Sequence, residues 1–426
     1  GVNLNRYDAG HPGRRPGHQD NIMDPPHEAD TLGHFQQIRW RRAFGSSEEV
    51  SVQVFHNYAN KNEDYLTGIV DLSRIGLGRV QIPTSLDVKD ERYDLEFQHT
   101  LAPVERWRFV WGLGARLDKV WSQTYFATDT NLSNRVYRLF ASGEWRASPH
   151  SVFNAGAMLE QNGIGGTEFS PRVAYNYHIS PAHTLRAAVS RAIRSPTIYE
   201  EHSDFRLSYQ VVRLGQLSLS RGGLAGERMV SYEVGYLGAL IERTLAVDFR
   251  LFRDRLADLI TEVEVRDNAV NRFTFGYRND GRADFAGIEL QLDFRPGADT
   301  RLMFGYSRTW VTVSDVSSDA SFNAKQQEGS VPPYTASLLI SRRLHGPWWA
   351  SAAYYRVPDM YWLGEGDAVT GYGRLDLRLA RELKFGDQVR GEVAAVVQNQ
   401  GSSPYTDFDQ EARFDRRAFV TLRLTY

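Results

Sequence analysis

Residues 107–117 read WRFVWGLGARL. Large apolar side chains recur at alternate positions between Trp107 and Leu117, and Arg108 and Arg116 fall on the other positions. Because successive side chains of a β-strand point to opposite faces, this period of two predicts a strand with one apolar and one polar face. At roughly ten residues, the run is long enough for a tilted strand to cross a bilayer.

The same alternation returns along the chain. It recurs in residues 245–251, 288–294, 389–397 and 419–426. A soluble β-sandwich also alternates, but its strands average about five to six residues. Several runs here reach roughly ten or more, which favours a membrane-spanning barrel. Polar-phase residues such as Glu233 are expected to face the lumen of this barrel, because a charge that faces lipid is costly.

The connections between these runs fall into two alternating classes. Short connections, several of which carry Pro or Gly, alternate with longer ones, as periplasmic turns alternate with extracellular loops in outer-membrane barrels. The short turns are expected at 44–49, 100–106, 147–151, 180–183, 238–242, 296–300 and 344–347. The long loops are expected at 60–90, 122–134, 191–227, 313–331, 357–371 and 400–416.

We therefore predict an all-β protein, a transmembrane antiparallel up-and-down β-barrel with about 17 strands. Residues 1–31 are expected to form an extracellular loop at a truncated start, and residues 32–426 the barrel. If the last strand ends in the periplasm, an odd number of strands makes the chain begin outside the cell. Because single-chain barrels normally have an even number of strands, N-terminal strands are expected to be missing.

Composition narrows the functional classes. The 426 residues carry 50 Lys and Arg against 52 Asp and Glu. The resulting net charge of −2 does not indicate a nucleic-acid-binding protein. The chain has no Cys, which excludes disulfides and thiolate metal sites. No run of apolar residues is long enough for a transmembrane helix, and a barrel needs none.

The end of the chain resembles an insertion signal. Leu422, Leu424 and Tyr426 fall on one face of the last alternating run. An amphipathic final strand that ends in an aromatic residue resembles the signal recognised by the barrel-assembly machinery of the outer membrane.

Four short motifs stand in order between residues 191 and 290. They read RAIRSPTIYE at 191–200, ERMVSYEVGY at 227–236, NDGRA at 279–283 and GIEL at 287–290. Together they resemble the barrel of TonB-dependent receptors, which shows Arg-x-Pro-x-x-x-Glu, Glu-x-x-x-x-Tyr-Glu-x-Gly, Asn-x-Gly-x-Ala and Gly-Val/Ile-Glu-Leu in this order. The matching residues are Arg194, Pro196, Tyr199, Glu200, Glu227, Tyr232, Glu233, Gly235, Asn279, Gly281, Gly287 and Glu289.

The resemblance implies an outer-membrane receptor and not an enzyme. Such receptors have 22 strands around a plugged lumen, so about 17 of the expected 22 would be present. The family imports scarce nutrients with energy from the TonB–ExbB–ExbD complex, which contacts an N-terminal part not found in this sequence. The implied ligand is most often a ferric siderophore, and otherwise cobalamin, haem, another metal chelate or a glycan. A monomer among outer-membrane lipid and lipopolysaccharide is expected, with no resident cofactor or metal.

Ligand contacts are expected in the long loops, where Arg and aromatic side chains suit anionic or aromatic chelates. The candidates are Arg206, Tyr209, Arg213, Trp310, Tyr361 and Trp362.

Two groups of His and acidic residues could capture a metal ion, but ordinary solvated loops are expected at both. The first has spacings that fit no compact metal site, and the second could bind Ca²⁺. The residues are His11, His18, Asp20, Asp24, His27, Glu28 and Asp30 in the first, and Asp315, Asp319, Asp407 and Asp409 in the second.

Two other functions fit a barrel. A passive porin explains the alternation but not the ordered motifs. A barrel-embedded hydrolase needs a polar constellation in the lumen, and neither Gly-x-Ser-x-Gly nor His-Glu-x-x-His occurs in the sequence.

Overall fold

The computed structural model describes residues 2–9, 22–210, 212–266, 274–363, 367–385, 389–401, 404–406 and 413–425. Its main element is an 18-stranded sheet, in which each strand pairs antiparallel with the next one along the chain. The strands of this sheet are β1 (Val2–Ala9), β2 (His27–Phe44), β3 (Glu48–Asn62), β4 (Val88–Val104), β5 (Trp107–Trp121), β6 (Leu132–Ser148), β7 (Ser151–Asn162), β8 (Gly166–Ser180), β9 (His183–Arg194), β10 (Glu227–Leu240), β11 (Leu245–Ala257), β12 (Arg282–Gly297), β13 (Thr300–Ser314), β14 (Tyr334–Arg343), β15 (Trp348–Val357), β16 (Tyr372–Phe385), β17 (Val389–Gln398) and β18 (Arg417–Thr425).

The connections contain the remaining elements. Short strands lie at Asp64–Leu66, Val70–Asp71, Arg79–Val80, Pro83–Ser85, Asp204–Tyr209, Val212–Leu219, Ile260–Glu264, Phe275–Asn279, Met360–Trp362, Asp367–Val369, Tyr405–Thr406 and Arg413–Phe414. The helices are a 3₁₀ turn at Ser73–Ile75 and the short α1 (Gln123–Phe126), α2 (Ile198–His202) and α3 (Ala324–Gly329). None of the helices in the described residues is both long and apolar enough to span a membrane.

The register separates the sheet into an apolar face and a charged face. Directly paired residues share a face, and the ladders place Phe97, Leu113, Leu139, Leu159 and Phe169 side by side on β4 to β8. Leu113 is 50% exposed and Phe169 49% exposed although both are apolar. Large apolar side chains left exposed in mid-strand are expected where the neighbouring solvent is lipid.

Ion pairs join neighbouring strands on the charged face. Arg138 on β6 reaches across β5 to Asp94 on β4, with 2.6 Å between Nη2 and Oδ2. Gly114 lies between them, and a Cβ atom there would come within 3.0 Å of Nε of Arg138. A glycine on the middle strand therefore makes room for the ion pair.

The sheet curves with its charged face inside. One cavity is lined by Asn3 of β1, Asn57 of β3, Arg92 of β4, Glu160 of β7 and Arg194 of β9. Residues from strands this far apart in the ladder can meet around one space only if their shared face is concave. The predicted lumen position of the polar phase agrees with this curvature.

Aromatic rings form a belt on the apolar face at the short-turn end. Trp107 stacks on Trp145 at 5.3 Å between ring centroids, and Trp145 on Phe153 at 5.5 Å. Tyr175 continues the row at 4.6 Å from Phe153, and Tyr177 lies 6.4 Å beyond it. Such girdles of amphipathic rings are typical of the membrane–water interface.

The predicted alternation of short and long connections is confirmed, with one exception. Two or three residues connect β2 to β3 and β4 to β5, whereas 25 residues, 63–87, connect β3 to β4. The exception is residues 163–165 between β7 and β8, which form a tight turn at the end of the sheet where the long loops lie. Asn162 accepts a hydrogen bond from the backbone N–H of Ile164 there, at 3.0 Å.

The prediction of a loop over residues 1–31 is wrong for two segments. Val2–Ala9 forms strand β1 and pairs with residues 27–34, where β2 already begins. Asn3, Asn5 and Asp30 are among the residue types that disfavour strands. The ladder and a cross-strand ion pair, with 2.7 Å between Nε of Arg6 and Oδ1 of Asp30, override that preference.

The strand count also changes. The described residues contain 18 strands of the main sheet where about 17 were predicted, so the argument from an odd number no longer applies.

A charge added to the apolar face should destabilise the protein. Val173, 57% exposed, lies mid-strand in β8 and pairs with Ala155 and Val189. We expect Val173→Arg to lower the free energy of unfolding in lipid by about 2–4 kcal/mol, measured by urea titration. The control is Ala174→Arg on the opposite face, which borders a polar cavity with Glu144 and Glu233. Equal losses in the two variants would contradict the assignment of the faces.

Candidate functional site

Loops from three connections fold together at one end of the sheet. A loop sheet forms from Asp204–Tyr209, Val212–Leu219, Phe275–Asn279 and Ile260–Glu264. A parallel bridge between Ser218 and Phe275 joins its two hairpins. The loop after β13 docks on it, because Glu264 donates its backbone N–H to the carbonyl of Asp319 at 2.7 Å. These loops are therefore a folded layer and not independent segments.

Arg194 connects this layer to the barrel. Its Nε donates to Glu227 at 2.6 Å, and its terminal nitrogens donate to Glu200 at 3.0 Å. The second carboxylate oxygen of Glu227 accepts the backbone N–H of Ile260 at 2.8 Å. Glu200 also closes a capping box with Thr197 at the start of α2. One guanidinium thus joins the ends of β9 and β10 to two loops.

Asn279 connects the same two loops from the other side. Its Nδ2 donates to the carbonyls of Ala225 at 2.9 Å and Asp258 at 2.8 Å, and its Oδ1 accepts the N–H of Ala225 at 2.8 Å. Gly281 has a φ of +108°, which favours glycine. The Asn-x-Gly motif is thereby explained as a backbone clasp followed by a turn.

Aromatic rings pack beneath the loop layer. Tyr199 of α2 lies edge-on to Tyr125 and to Tyr277, each at 5.9 Å between ring centroids. Tyr125 of α1 contacts Phe205 at 5.1 Å. Burial raises the pKa of Tyr125, Tyr199 and Tyr277, so all three stay neutral phenols over the physiological range.

A cavity of about 1070 Å³ lies between these rings and the charged face of the barrel. Asp118 accepts a hydrogen bond from Arg92 at 2.6 Å and lies 3.0 Å from Arg116, so one carboxylate serves two guanidinium groups. The cavity combines cations, carboxylates and aromatic rings at the loop end of the lumen. Its charged and aromatic lining comprises Lys61, Asp90, Glu91, Arg92, Arg116, Asp118, Lys119, Glu160, Arg194, Tyr125, Phe126 and Tyr199.

A second polar cluster borders the cavity at Lys61. Glu63 is buried, forms an ion pair with Lys61 and lies 2.8 Å from Nε2 of His27. Burial alone would raise the pKa of Glu63, but the hydrogen bonds from Lys61 and His27 outweigh it and hold the pKa below its ordinary value. The His27 ring also stacks on Tyr65 at 4.0 Å. Sequence reasoning missed this cluster, because no motif links side chains that lie so far apart along the chain.

The residues predicted to bind ligand lie in three separate places. Arg206, Tyr209 and Arg213 share one hairpin of the loop sheet, where Nε of Arg206 donates to Asp204 at 2.8 Å. The hairpin Met360–Trp362 and Asp367–Val369 carries Tyr361 and Trp362. None of the candidates is among the described residues that line the cavity.

Trp310 corrects the prediction in one respect. It was expected in a loop, but β13 continues to Ser314 and Trp310 pairs with Ala286 of β12. It therefore lies on the apolar face, 48% exposed, with the guanidinium of Arg308 5.0 Å from its ring centroid.

The strand motifs build the charged face. Arg250 lies 3.3 Å from Glu233 and 2.9 Å from Glu289, which links β10, β11 and β12. Gly235 and Gly287 leave room for neighbouring side chains, since a Cβ atom would lie 2.4 Å from Arg186 Nε and 2.3 Å from Phe252 Cζ, respectively. Tyr232 lies on the apolar face, and Pro196 packs over Gly165.

The remaining predicted residues belong to the C-terminal strand and to the two candidate metal sites. Leu422 and Leu424 lie on the apolar face of β18, 65% and 55% exposed. Asp319 binds Arg278 at 2.9 Å, and Asp315 lies 3.4 Å from Arg282. Within the described part of the chain, no three His, Asp or Glu side chains are grouped so that they could hold a metal ion. Outside the described residues lie His11, His18, Asp20, Asp407, Asp409 and Tyr426.

Comparison of the sequence with known protein families identifies the family of this chain. The family model described as "TonB dependent receptor-like, beta-barrel" matches residues 1–399. The chain belongs to this family of outer-membrane β-barrel receptors. The predicted resemblance to the barrel of TonB-dependent receptors is therefore confirmed. No curated protein matches the sequence.

Solved structures share the fold at low sequence identity. A ferric enterobactin receptor variant from Pseudomonas aeruginosa has a TM-score of 0.73 at 14% identity, over 99% of this chain and 66% of that one. The ferric-catecholate import receptor Fiu from E. coli K12 has a TM-score of 0.68 at 11% identity, over 96% and 65%. The copper transporter OprC has a TM-score of 0.66 at 16% identity, over 94% and 66%. This chain of the TonB-dependent receptor family spans just under two thirds of these three structures.

Loss of the Arg194 guanidinium should loosen the loop layer. We expect Arg194→Gln to speed backbone hydrogen exchange in residues 197–203 and 223–227 roughly fivefold, because two carboxylates lose a partly exposed partner. Mass spectrometry of exchanged peptides measures this. Arg266→Gln is the control, since its pair with Glu264 is an exposed one within a single loop. Unchanged exchange in Arg194→Gln would show that Arg194 does not hold the layer.

The ion pair between Asp319 and Arg278 should persist when the pH is lowered to about 4. Hydrogen bonds from Ser317 and Arg278 lower the pKa of Asp319 to about 2. Its stabilising contribution is therefore full above pH ~4 and is lost as the pH falls through about 2. A nitroxide label at Ser318 should keep its spectrum from pH 7 to pH 4 and gain mobility near pH 2. The label in Asp319→Asn should be mobile throughout, and a transition near pH 4 in the parent protein would contradict the lowered pKa.

Proposed function

We propose that this protein is an outer-membrane receptor for TonB-dependent uptake, and that its ligand is a ferric siderophore. The observation that carries the proposal is the cavity at the loop end of the lumen, where Arg92, Arg116 and Lys61 lie near the rings of Tyr125 and Tyr199. The folded loop layer above it is held by the motif residues of the family. The cavity therefore has a defined wall on the side from which a nutrient arrives.

The chemistry of the cavity suits an anionic chelate with aromatic groups. Guanidinium groups donate strong charge-assisted hydrogen bonds to oxygen anions. Asp118 is shared by Arg92 and Arg116, so donors of both remain available for a ligand. Aromatic rings such as Tyr199 add stacking and cation–π contacts. A catecholate complex of iron carries both features, negative oxygens and aromatic rings.

The names of the fold relatives support the same class of ligand. Among them are a ferric enterobactin receptor, a ferric-catecholate import receptor and a siderophore receptor, PirA, from Acinetobacter baumannii. The copper transporter OprC is a further structural relative. Binding of another metal is therefore the alternative that the experiment below includes. At these identities the resemblance establishes the fold, and the ligand is our proposal.

The proposal assigns the energy for import to the TonB–ExbB–ExbD complex, which the family resemblance implies. The charged network of Arg250 with Glu233 and Glu289 gives the barrel a polar inner wall. Such a wall can be solvated or can contact a domain inside the lumen. The proposal assigns transport and no covalent chemistry to the chain.

Binding to the full-length protein tests the proposal. Quenching of intrinsic fluorescence would be titrated with a ferric catecholate, a ferric hydroxamate, haem, cyanocobalamin and Cu²⁺. We expect saturable binding of a ferric siderophore and about tenfold weaker binding in Arg92→Gln. Asp118 retains its ion pair with Arg116 in that variant, so the barrel should still fold. Arg206→Gln is the control, because Arg206 lies outside the cavity.

The outcomes separate the alternatives. Binding of haem, cobalamin or Cu²⁺ without any ferric siderophore would contradict the proposed ligand. Uptake of radiolabelled iron complex that continues after collapse of the proton gradient would contradict TonB dependence and favour a passive porin. An Arg206→Gln effect larger than that of Arg92→Gln would move the site from the cavity to the loop hairpin.

A further inference from the structure

The apolar face carries a cluster of arginines at its loop end. Arg253 of β11 pairs with Ala286 of β12, which pairs with Trp310 of β13. In the next row Arg255 pairs with Asp284. The small side chain of Ala286 therefore lies between an arginine and a tryptophan on the face that contacts lipid.

These arginines are only partly neutralised. Asp284 lies 3.3 Å from Arg253 and 3.5 Å from Arg255, so one carboxylate is shared by two guanidinium groups. Both arginine side chains are more than half exposed, at 56% and 55%. A guanidinium has five N–H donors, and one shared carboxylate leaves most of them available. Arg308 adds a third positive charge above the ring of Trp310.

The cluster continues onto the neighbouring strands. Arg228 of β10 lies 3.2 Å from Asp258 and 3.6 Å from Glu168, and Arg191 of β9 lies 3.3 Å from Glu168. On the apolar face the cluster contains more cations than anions, with the arginines 228, 253, 255 and 308 against Asp258 and Asp284. Glu168, which Arg191 and Arg228 contact, pairs with Glu160 of the charged face.

An apolar groove leads to this cluster. A cavity of about 540 Å³ lies mostly between apolar side chains of β8 to β11 and reaches Arg253 at one end. Val173 and Val189 form one wall, and Val234 and Leu251 form the other. Its lining and position suit a hydrocarbon chain.

We propose that the groove and the patch of Arg253, Arg255, Arg308 and Trp310 bind the phosphorylated headgroup and one acyl chain of an outer-leaflet glycolipid, a lipopolysaccharide. The acyl chain occupies the groove, and its phosphate accepts hydrogen bonds from Arg253 and Arg255. Planar guanidinium groups bind phosphate oxygens in pairs. The indole of Trp310 offers a flat face to the sugar. The patch lies at the loop end, which is the outer leaflet, where lipopolysaccharide is the phosphorylated lipid. This inference is independent of the proposed uptake.

Lipid titration of the full-length protein tests the inference. The protein would be freed of lipid in mild detergent and titrated with purified lipopolysaccharide, enzymatically dephosphorylated lipopolysaccharide and phosphatidylglycerol, with bound lipid counted by native mass spectrometry. We expect the parent protein to bind lipopolysaccharide about tenfold more tightly than the dephosphorylated form. The double variant Arg253→Gln with Arg255→Gln should lose this preference.

A matched double variant controls for charge. Arg342 and Arg381 also lie on the apolar face but at the short-turn end, so Arg342→Gln with Arg381→Gln should keep the preference. Folding of each variant is checked by its heat-dependent migration in detergent gels, and Arg255→Gln alone replaces a double variant that fails to fold. Equal binding of the dephosphorylated lipid, an equal loss in the control, or displacement by equimolar phosphatidylglycerol would overturn the proposal.

Discussion

The fold depends on the need to satisfy every backbone hydrogen bond inside a membrane. Hydrocarbon offers no partners for N–H and C=O groups, so only helices and closed sheets are suited to cross it. In the described residues 18 strands each pair with their sequence neighbours, so that the inner strands β2 to β17 have ladder partners on both sides. Once the backbone is placed in ladders, the period of two assigns each side chain to lipid or to the lumen. The apolar rows, the ion pairs between strands and the glycines that make room for them follow from that assignment.

The motif residues of the family hold the loop layer in place through hydrogen bonds and ion pairs. Arg194, Glu200 and Glu227 form an ion-pair network that fixes where two strands end and two loops begin. Asn279 clasps the same loops through three hydrogen bonds to backbone groups. These residues position the wall of the cavity, and Arg194 also lines it. Ligand recognition in our proposal falls to side chains outside the motifs, such as Arg92.

The alternation of apolar and polar residues in the sequence predicted the features that depend on neighbouring residues alone, namely strands and their faces. The alternation from Trp107 to Leu117 identified its strand and both faces, because period two is a property of the backbone itself. Strand β1 was missed, because its sequence contains Asn3 and Asn5, which disfavour strands, and the ladder to β2 and the pair of Arg6 with Asp30 depend on residues about 25 positions away. Trp310 was misplaced for a related reason, since the point at which a strand ends depends on its pairing. The cavity could not be predicted, because it joins residues from many strands and loops.

Nitroxide scanning of β10 in lipid tests the assignment of the two faces most directly. A label would be placed in turn at residues 230–237, and its collisions with dissolved oxygen and with a water-soluble nickel complex would be measured. We expect oxygen maxima at Val230, Tyr232, Val234 and Tyr236 and nickel maxima at Ser231, Glu233, Gly235 and Leu237. Accessibilities without this period of two, or with the two faces exchanged, would contradict the assignment.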